Sequence, residues 1–260
     1  MTLPDVPESF TWTAAPWGHA LLCLPLEEIA PHLFSTRQLQ LASDADESAL
    51  AASIAAARVV QVAQVHGRAH VVVHQGDVPW HGTRPEADVL ISNATDAAVA
   101  VRAADCVPLL LADRATGAVA AVHAGWRGTC AGAAVAAVEA LGKEFGVKPE
   151  NLVVAIGPSI GACCYEVGTE LVDAFAAAGH ARHLIDRWFV STPPPRGSRA
   201  RNALRLDVAG ANRDQLVLAG VPEADVHLSG LCTAMHLDVL TSYRAEREHA
   251  GRLVAAIRRR

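Results

Sequence analysis

A chain of 260 residues that is 51% apolar and carries a net charge of −5 has enough material for a sizeable core in a single domain, residues 1–260, and is neither disordered nor fibrous in composition. A mildly acidic chain argues against a nucleic-acid-binding face, so an anionic ligand has to be held by local arginines and backbone amides rather than by a global field.

The N-terminal stretch Met1-Thr-Leu-Pro-Asp-Val-Pro-Glu-Ser9 holds acids and no basic run, so it does not read as a secretory signal. Ala20-Leu-Leu-Cys-Leu-Pro-Leu26 is apolar but far too short to span a bilayer. A cytoplasmic protein with no membrane partner is expected. Its cysteines, Cys23, Cys106, Cys130, Cys163, Cys164 and Cys232, are then reduced.

Ser48 to Val60 is alanine-rich and reads as a helix, followed by short strands at Val71–Val73, Asp88–Ile91 and Val99–Val101. Pro108–Ala112 and Ala118–Val122 are apolar runs of strand length. Asp113-Arg-Ala-Thr-Gly117 between them supplies turn chemistry, so the spacing predicts a hairpin. Thr129 to Phe145 is a small-residue helix with Gly146 beyond its end, and Leu152–Ile156 is a buried strand. Glu166–Ala178 and Asp207–Ala219 read as helices stopped by Gly179 and Gly220. Between them, Trp188 to Arg201, with three consecutive prolines, reads as a surface loop. Val226–Ser229 is a late strand, and the chain ends in a helix whose three terminal arginines read as a frayed, solvated end. Strands and helices interleave without a strict βαβ rhythm. That pattern favours a mixed α/β layered fold, with sheets flanked by helices, over a Rossmann fold. No Gly-x-Gly-x-x-Gly follows a strand, and no phosphate loop is present.

The hairpin carries the chemistry. Cys106 precedes its turn by almost as many residues as His123 follows it, so the two face each other or nearly so across an antiparallel pair. A thiolate and an imidazole at that spacing can share one metal ion. Gln64-Val-His-Gly67 supplies a third candidate ligand, His66, although spacing alone does not bring it to the pair. His66, Cys106 and His123 make a His₂Cys set, and three protein ligands with an open position is the catalytic pattern for zinc. Blue-copper centres use the same three donors and add an axial methionine; apart from the initiator, Met235 is the one candidate, and no His-x-His pair is present. Zinc is therefore preferred, with copper as the alternative. The zinc deaminase signature is absent.

Other residues compete for site roles. Arg127, in Ala124-Gly-Trp-Arg-Gly128 between strand and helix, suits a phosphate or carboxylate. Trp126 beside it stacks on a base or packs. Asp105 points to the face opposite Cys106 in a regular strand and either orients a ligand or binds substrate. Cys163-Cys164 is a vicinal pair; adjacent cysteines seldom bridge, and these read as packing. Ser242-Tyr243-Arg244 offers a hydroxyl, a phenol and a guanidinium.

Taken together, Gln64-Val-His-Gly67, Arg102-Ala-Ala-Asp-Cys106-Val-Pro108, Val122-His-Ala-Gly-Trp-Arg-Gly128, Ile156-Gly-Pro-Ser-Ile160, Cys164-Tyr-Glu-Val167, Asp207 with Asn212 and Leu216, Leu231-Cys-Thr233 and Thr241-Ser-Tyr-Arg244 closely resemble the laccase-domain family. That family, also called multicopper polyphenol oxidase or purine nucleoside phosphorylase, includes the peptidoglycan editing factor. The likeness covers roughly residues 30–257. It implies a layered α/β fold likened to cysteine hydrolases, and a metal, usually zinc, at His66, Cys106 and His123. It implies phosphorolysis of adenosine, inosine and methylthioadenosine by inorganic phosphate, with adenosine deamination as a side activity. Cys106, Asp105 and Arg127 then become the catalytic candidates, and Arg37, Gln64, Trp126 and Arg244 the substrate contacts. Family members usually follow Ser-x-Arg with Gly-Gly-x-Ser; here Phe34-Ser-Thr-Arg37 runs into Gln38-Leu-Gln-Leu41. Arg37 stays a candidate anion ligand on an altered wall. Three alternatives remain open: a hydrolase editing peptidoglycan precursors with Cys106 as nucleophile, a copper-dependent polyphenol oxidase, and a non-catalytic metabolite-binding domain.

Overall fold

The computed structural model describes residues 2–41, 43–77, 80, 83–192 and 203–260. The chain opens with the hairpin β1 (Phe10–Ala15) and β2 (Gly18–Cys23), a short turn of helix α1 (Leu24–Glu27), and β3 (His32–Ser35). Next come α2 (Asp44–Ser53), β4 (Arg58–Val60), β5 (His70–Val73), β6 (Val89–Ser92) and β7 (Ala97–Ala103). The central hairpin β8 (Val107–Asp113) and β9 (Val119–Ala124) leads into α3 (Trp126–Ala131) and α4 (Ala133–Phe145). Then follow β10 (Leu152–Ile156), β11 (Glu166–Val167), α5 (Glu170–Ala177), α6 (Arg182–Trp188), β12 (Phe189–Thr192) and β13 (Ala203–Leu206). The chain closes with α7 (Val208–Leu218), β14 (Val226–Leu228), α8 (Tyr243–Glu246) and β15 (Leu253–Arg258).

Two six-stranded mixed sheets form the centre, ordered β1-β2-β3-β15-β7-β4 and β14-β10-β8-β9-β6-β5, with a small sheet β11-β13-β12 beside them. Alternation along β8 shows why the sheets stack. Leu110 and Ala112 pack toward Val99, Val101, Ala255 and Ile257 of the first sheet. Leu109 and Leu111 face the helical side, with Ala133, Ala137 and Leu141 of α4 and Leu216 of α7. Leu50 and Ile54 cover the far face of the first sheet over Ala98, Ala100, Val254 and Ala256. The result is helix, sheet, sheet, helix. A strand buried on both faces reads as a continuous apolar run, as these do. Each fully buried leucine contributes about 1.5–3 kcal/mol. Among the described residues, no helix is long and apolar enough to cross a membrane.

The predicted hairpin forms. Gly117 takes a φ of 72° and donates to Asp113 O at 2.9 Å, while Thr116 N–H donates to Asp113 Oδ2 at 2.6 Å. The strands at 71–73, 88–91, 99–101, 152–156 and 226–229 all appear within a residue or two, and α7 is capped by Asp207, which accepts from Gly210 N–H.

Six expectations are corrected in whole or in part. The helix expected over Ser48–Val60 starts earlier, capped by Ser43, and stops at Ser53; the β-branched pair Val59–Val60 instead pairs in parallel with β7. The helix expected over Thr129–Phe145 is two helices, broken at Gly132, whose φ is 78°. Glu166–Val167 pairs with Leu204–Arg205 as a strand, so that helix begins only at Glu170. The terminal helix is instead β15, placed between β3 and β7. Its Leu-Val-Ala-Ala-Ile run is buried on both faces, and that burial overrides the helix propensity of alanine. Nor is the basic end frayed: Arg258 donates to the Ile54 and Thr95 carbonyls and Arg259 to Asn93 O. Of the loop expected over Trp188–Arg201, Trp188 closes α6 with its indole N–H on Asp214, and Phe189–Thr192 is a strand; residues 193–202 lie outside the described residues.

Candidate metal centre

The register of β8 against β9 pairs Pro108 with His123 and Val107 with Ala124, which puts Cys106 diagonally across from His123, one step outside the ladder. His66 arrives from the segment between β4 and β5 with a φ of 64°, a left-handed conformation rare for a residue with a side chain. One ligand atom from each of His66, Cys106 and His123 lies within 4.8 Å of the other two, and the imidazole rings meet edge-on with centroids 4.9 Å apart. Gly125 makes room, since a Cβ there would lie 2.7 Å from Cys106 Sγ and 3.1 Å from His66 Cδ2.

The residue that assembles this set is Asp88, fully buried at the head of β6. Its Oδ1 accepts from His66 N–H at 3.0 Å and faces His123 Nδ1 at 2.8 Å; its Oδ2 accepts from Val65 N–H at 3.2 Å and Gly67 N–H at 2.6 Å. One carboxylate therefore pins the His66 turn and fixes the His123 ring. An ionised carboxylate only accepts, so Nδ1 carries the proton and Nε2 is left free for a metal. Burial raises the Asp88 carboxyl, but the bonds from His123, Gly67 and His66 outweigh it and hold the group below its ordinary value. Burial likewise raises the Cys106 thiol, while the His123 and His66 imidazoles pull it down to about 7. For His123 burial works downward, and Asp88 and Cys106 push it up to about 9. Without a metal the two groups therefore favour a thiolate beside an imidazolium between about pH 7 and 9. Two imidazoles, one thiolate and a carboxylate behind one ring suit zinc, and no part of the donor set conflicts with it. Asp88 went unnoticed as a functional residue in the sequence. Its signal was there: an acid opening the apolar run Asp88-Val-Leu-Ile91.

The three donors open into a cavity of about 1170 Å³, whose wall includes Gln64, Asp105, Trp126, Arg127, Tyr165 and Arg244. Asp105, with a φ of 84°, has both carboxylate oxygens engaged: Oδ1 accepts from Thr233 Oγ1 and Oδ2 from Arg244 N–H, both at 2.6 Å. It anchors the segment that carries Arg244. Arg244 itself donates to Glu166 O at 2.9 Å and lies 5.2 Å from the Tyr165 ring. Gln64 spends both ends of its amide on the Arg102 backbone, at 2.7 and 2.8 Å. Exposed Arg127 lies over the Trp126 ring at 4.3 Å. Arg37 is not brought to this wall; its guanidinium pairs with Glu246 at 3.0 Å and bonds Leu237 O, which replaces the expected anion contact.

Arg84, Arg102, Arg247 and Arg252 also line the cavity and were missed as site residues. Burial, with Arg84 and Arg252 nearby, holds Arg102 below its usual value. None of the ion pairs found among the described residues uses a cavity-lining arginine. A wall of uncompensated guanidinium groups selects for anions. Tyr165 adds a phenol, which burial and the Cys106 charge push up to about 12.

The model of the multi-copper polyphenol oxidoreductase laccase family matches residues 37–260. The chain belongs to that family. It is 36% identical over 170 residues to the purine nucleoside phosphorylase of Bacteroides thetaiotaomicron, covering 65% of this chain and 60% of that protein. It is 35% identical over 176 residues to purine nucleoside phosphorylase YlmD of Geobacillus stearothermophilus, covering 68% and 61%. A crystal structure of YlmD from that organism superposes with a TM-score of 0.80 at 28% identity, over 98% of this chain and 100% of that one. Adenosine deaminase RL5, from an unknown prokaryote, is 36% identical over 66% of this chain and 62% of its own length. The sequence matches thus span about 60% of these relatives.

Proposed function

We propose that this chain is a purine nucleoside phosphorylase that acts on adenosine, inosine and methylthioadenosine with zinc at His66, Cys106 and His123, and deaminates adenosine as a side activity. The observation that carries this reading is the His–Cys–His set, clamped by Asp88, at the base of an arginine-walled cavity. The names of the relatives support the substrate class. Bound there, zinc supplies a Lewis acid and, for deamination, lowers the pKa of a water.

The chain's own residues do the rest. Arg127 and Arg244 hold inorganic phosphate, with Arg102 strengthening the positive field around it. Asp105 and Gln64 act as positioning residues, Asp105 through the Arg244 backbone and Gln64 through that of Arg102. Trp126 backs Arg127 and narrows the cavity around the base. A phosphate oxygen forms its bond to C1′ of the ribose as the bond from C1′ to the purine nitrogen breaks. The electron pair leaves on the purine, which takes a proton from solvent. Holding both reactants in one cavity converts a bimolecular step into a positioned one.

The test is nucleobase release from the three nucleosides, with and without phosphate, on protein whose metal has been assayed. Phosphate-dependent release with about one zinc per chain is expected; zinc without turnover on any of the three overturns the substrate. A second reading has one observation in its favour. Asp88, His123 and Cys106 line up as carboxylate, imidazole and thiol, the order of a thiol nucleophile with its base and orienting acid. That arrangement suits an amidohydrolase editing peptidoglycan precursors. Activity that survives complete chelation belongs to it, because a metal-bound thiolate is a poor free nucleophile.

A further inference from the structure

A second donor cluster sits behind the cavity wall and contains only sulfur. The turn Gly161-Ala-Cys-Cys-Tyr165 follows β10 and is closed by Cys164 and Tyr165 N–H groups donating to Gly161 O at 2.9 and 3.0 Å. Cys232 comes from the segment after β14, tied alongside by a parallel bridge to Ser159 and by Thr233 N–H donating to Ser159 O at 3.0 Å. The Sγ atoms of Cys163, Cys164 and Cys232 all lie within 4.8 Å of one another, and those of Cys163 and Cys164 are 3.6 Å apart. The packing role expected of the vicinal pair is thus incomplete: Cys163 is exposed, Cys164 half-buried, and buried Cys232 is the third member.

Three sulfurs bound to one ion at about 2.3 Å in a trigonal plane lie about 4 Å apart. The cluster holds its donors near that spacing already. Gly161 forms the floor: its N–H donates to Cys232 Sγ at 3.2 Å, and a Cβ would come within 3.2 Å of Cys163 Sγ. All three cysteines are free thiols, and the adjacent pair is poorly placed to bridge. Burial and the neighbouring sulfurs push the Cys163 thiol up to about 12.

We propose that Cys163, Cys164 and Cys232 form a binding site for a soft, thiophilic cation of the Cu(I) class, separate from the His66–Cys106–His123 centre and independent of what that centre does. An all-thiolate donor set selects soft ions and offers nothing to magnesium or calcium. Exposed Cys163 gives the entry path and buried Cys232 the anchor. Binding releases the thiol protons to solvent and fastens the 161–165 turn to the 232–233 segment. Those segments carry Tyr165 on the cavity wall and Thr233 on Asp105, so the ion braces the wall from behind.

The experiment uses the full chain as Cys106→Ala, which removes the thiolate of the first centre. Under anaerobic, reducing conditions it is titrated with Cu(I) against a chromophoric Cu(I) chelator. Capture of roughly one equivalent per chain, with a thiolate-to-copper charge-transfer band, is expected. The same protein carrying Cys163→Ser and Cys164→Ser is expected to lose that equivalent while its copper-free melting midpoint stays put. No capture by Cys106→Ala, or full capture by the folded triple variant, overturns the site. X-ray absorption on copper-loaded Cys106→Ala decides the matter without the serine variants. Three sulfur neighbours at one distance support the site, and fewer sulfurs or nitrogen neighbours overturn it.

Discussion

The His66–Cys106–His123 set and the Cys163–Cys164–Cys232 set each hold their donors within 4.8 Å of one another, but are built by different means. In the first, a buried carboxylate fixes one ring and pins the turn that carries the other. The pair Cys106 and His123 is charge-separated before any ion arrives. In the second, the supports are backbone bonds and a glycine floor, and burial with the neighbouring sulfurs raises the Cys163 thiol. Ligand spacing alone therefore does not define a catalytic centre. The charge behind the ligands distinguishes one that is organised before binding from one organised by binding.

The largest effect is expected from Cys106→Ala. It removes the thiolate from the first centre and leaves the second intact. Bound zinc and nucleobase release are expected to vanish together, measured by metal analysis and a phosphorolysis assay on one preparation. An active, metal-free Cys106→Ala protein breaks the distinction between the clusters along with the proposed chemistry.

Asp88→Asn comes next. The amide keeps the shape but carries no charge, and its nitrogen end cannot accept the bonds now made to the His66 turn. Loss of such an outer partner typically weakens metal affinity 10–100-fold. Chelator competition is expected to show that drop for zinc, with Cu(I) uptake by the sulfur cluster unchanged.

A smaller effect is expected from pH on metal-free protein. Cys106, lowered from 9.0 to about 7, contributes stability that is fully present above its unfolded value and is lost as pH falls through 7. His123, raised from 6.5 to about 9, contributes stability that is fully present below its unfolded value and is lost as pH rises through 9. Between pH 7 and 9 the Cys106 contribution grows while the His123 contribution shrinks, so the two slopes offset each other and the urea midpoint is expected to stay nearly level across that window. In Cys106→Ser, where serine does not ionise, the His123 slope is left unopposed and the midpoint should fall as pH rises above 6.5. Zinc-loaded protein should instead gain stability with rising pH, because its ligating atoms hold no proton while those of the unfolded chain still do.

How far the sequence revealed these features follows from the range of each interaction. Cys106 opposite His123 was legible because a hairpin turn fixes both by counting from one local signal. His66 was not, because it reaches the pair through Asp88, 22 residues further along, and no local pattern encodes that clamp. Cys163-Cys164 was visible as a pair, yet Cys232, some 70 residues later, joins only through the bridge to Ser159. The strands with valine and isoleucine were found to within a residue or two. The terminal strand was not, because alanine-rich runs fit both a helix and a fully buried strand, and only burial between β3 and β7 decides. The departure after Arg37 was legible as a change of wall, but the loss of the arginine itself to Glu246 was not.

That last residue gives the smallest expected effect. Arg37 pairs with Glu246, which also accepts from Thr241 Oγ1 at 2.6 Å and Ser242 N–H at 3.0 Å. Removing one partner of three from a partly exposed pair costs about 0.2–1 kcal/mol. Arg37→Ala is therefore expected to lower the urea midpoint slightly and to leave kcat and the KM for phosphate within about twofold, the change permitted by a structural pair that does not itself line the cavity. Arg127→Ala removes a charged donor that lines the cavity, and a lost charge-assisted bond of about 1.5–3 kcal/mol corresponds to a roughly 10–100-fold weaker hold on phosphate. The contrast between these two arginines tests whether geometry or motif membership assigns the anion site. Equal losses in phosphate affinity would mean that Arg37 leaves Glu246 and turns into the cavity during turnover, and the wall would then have to be redrawn to include it.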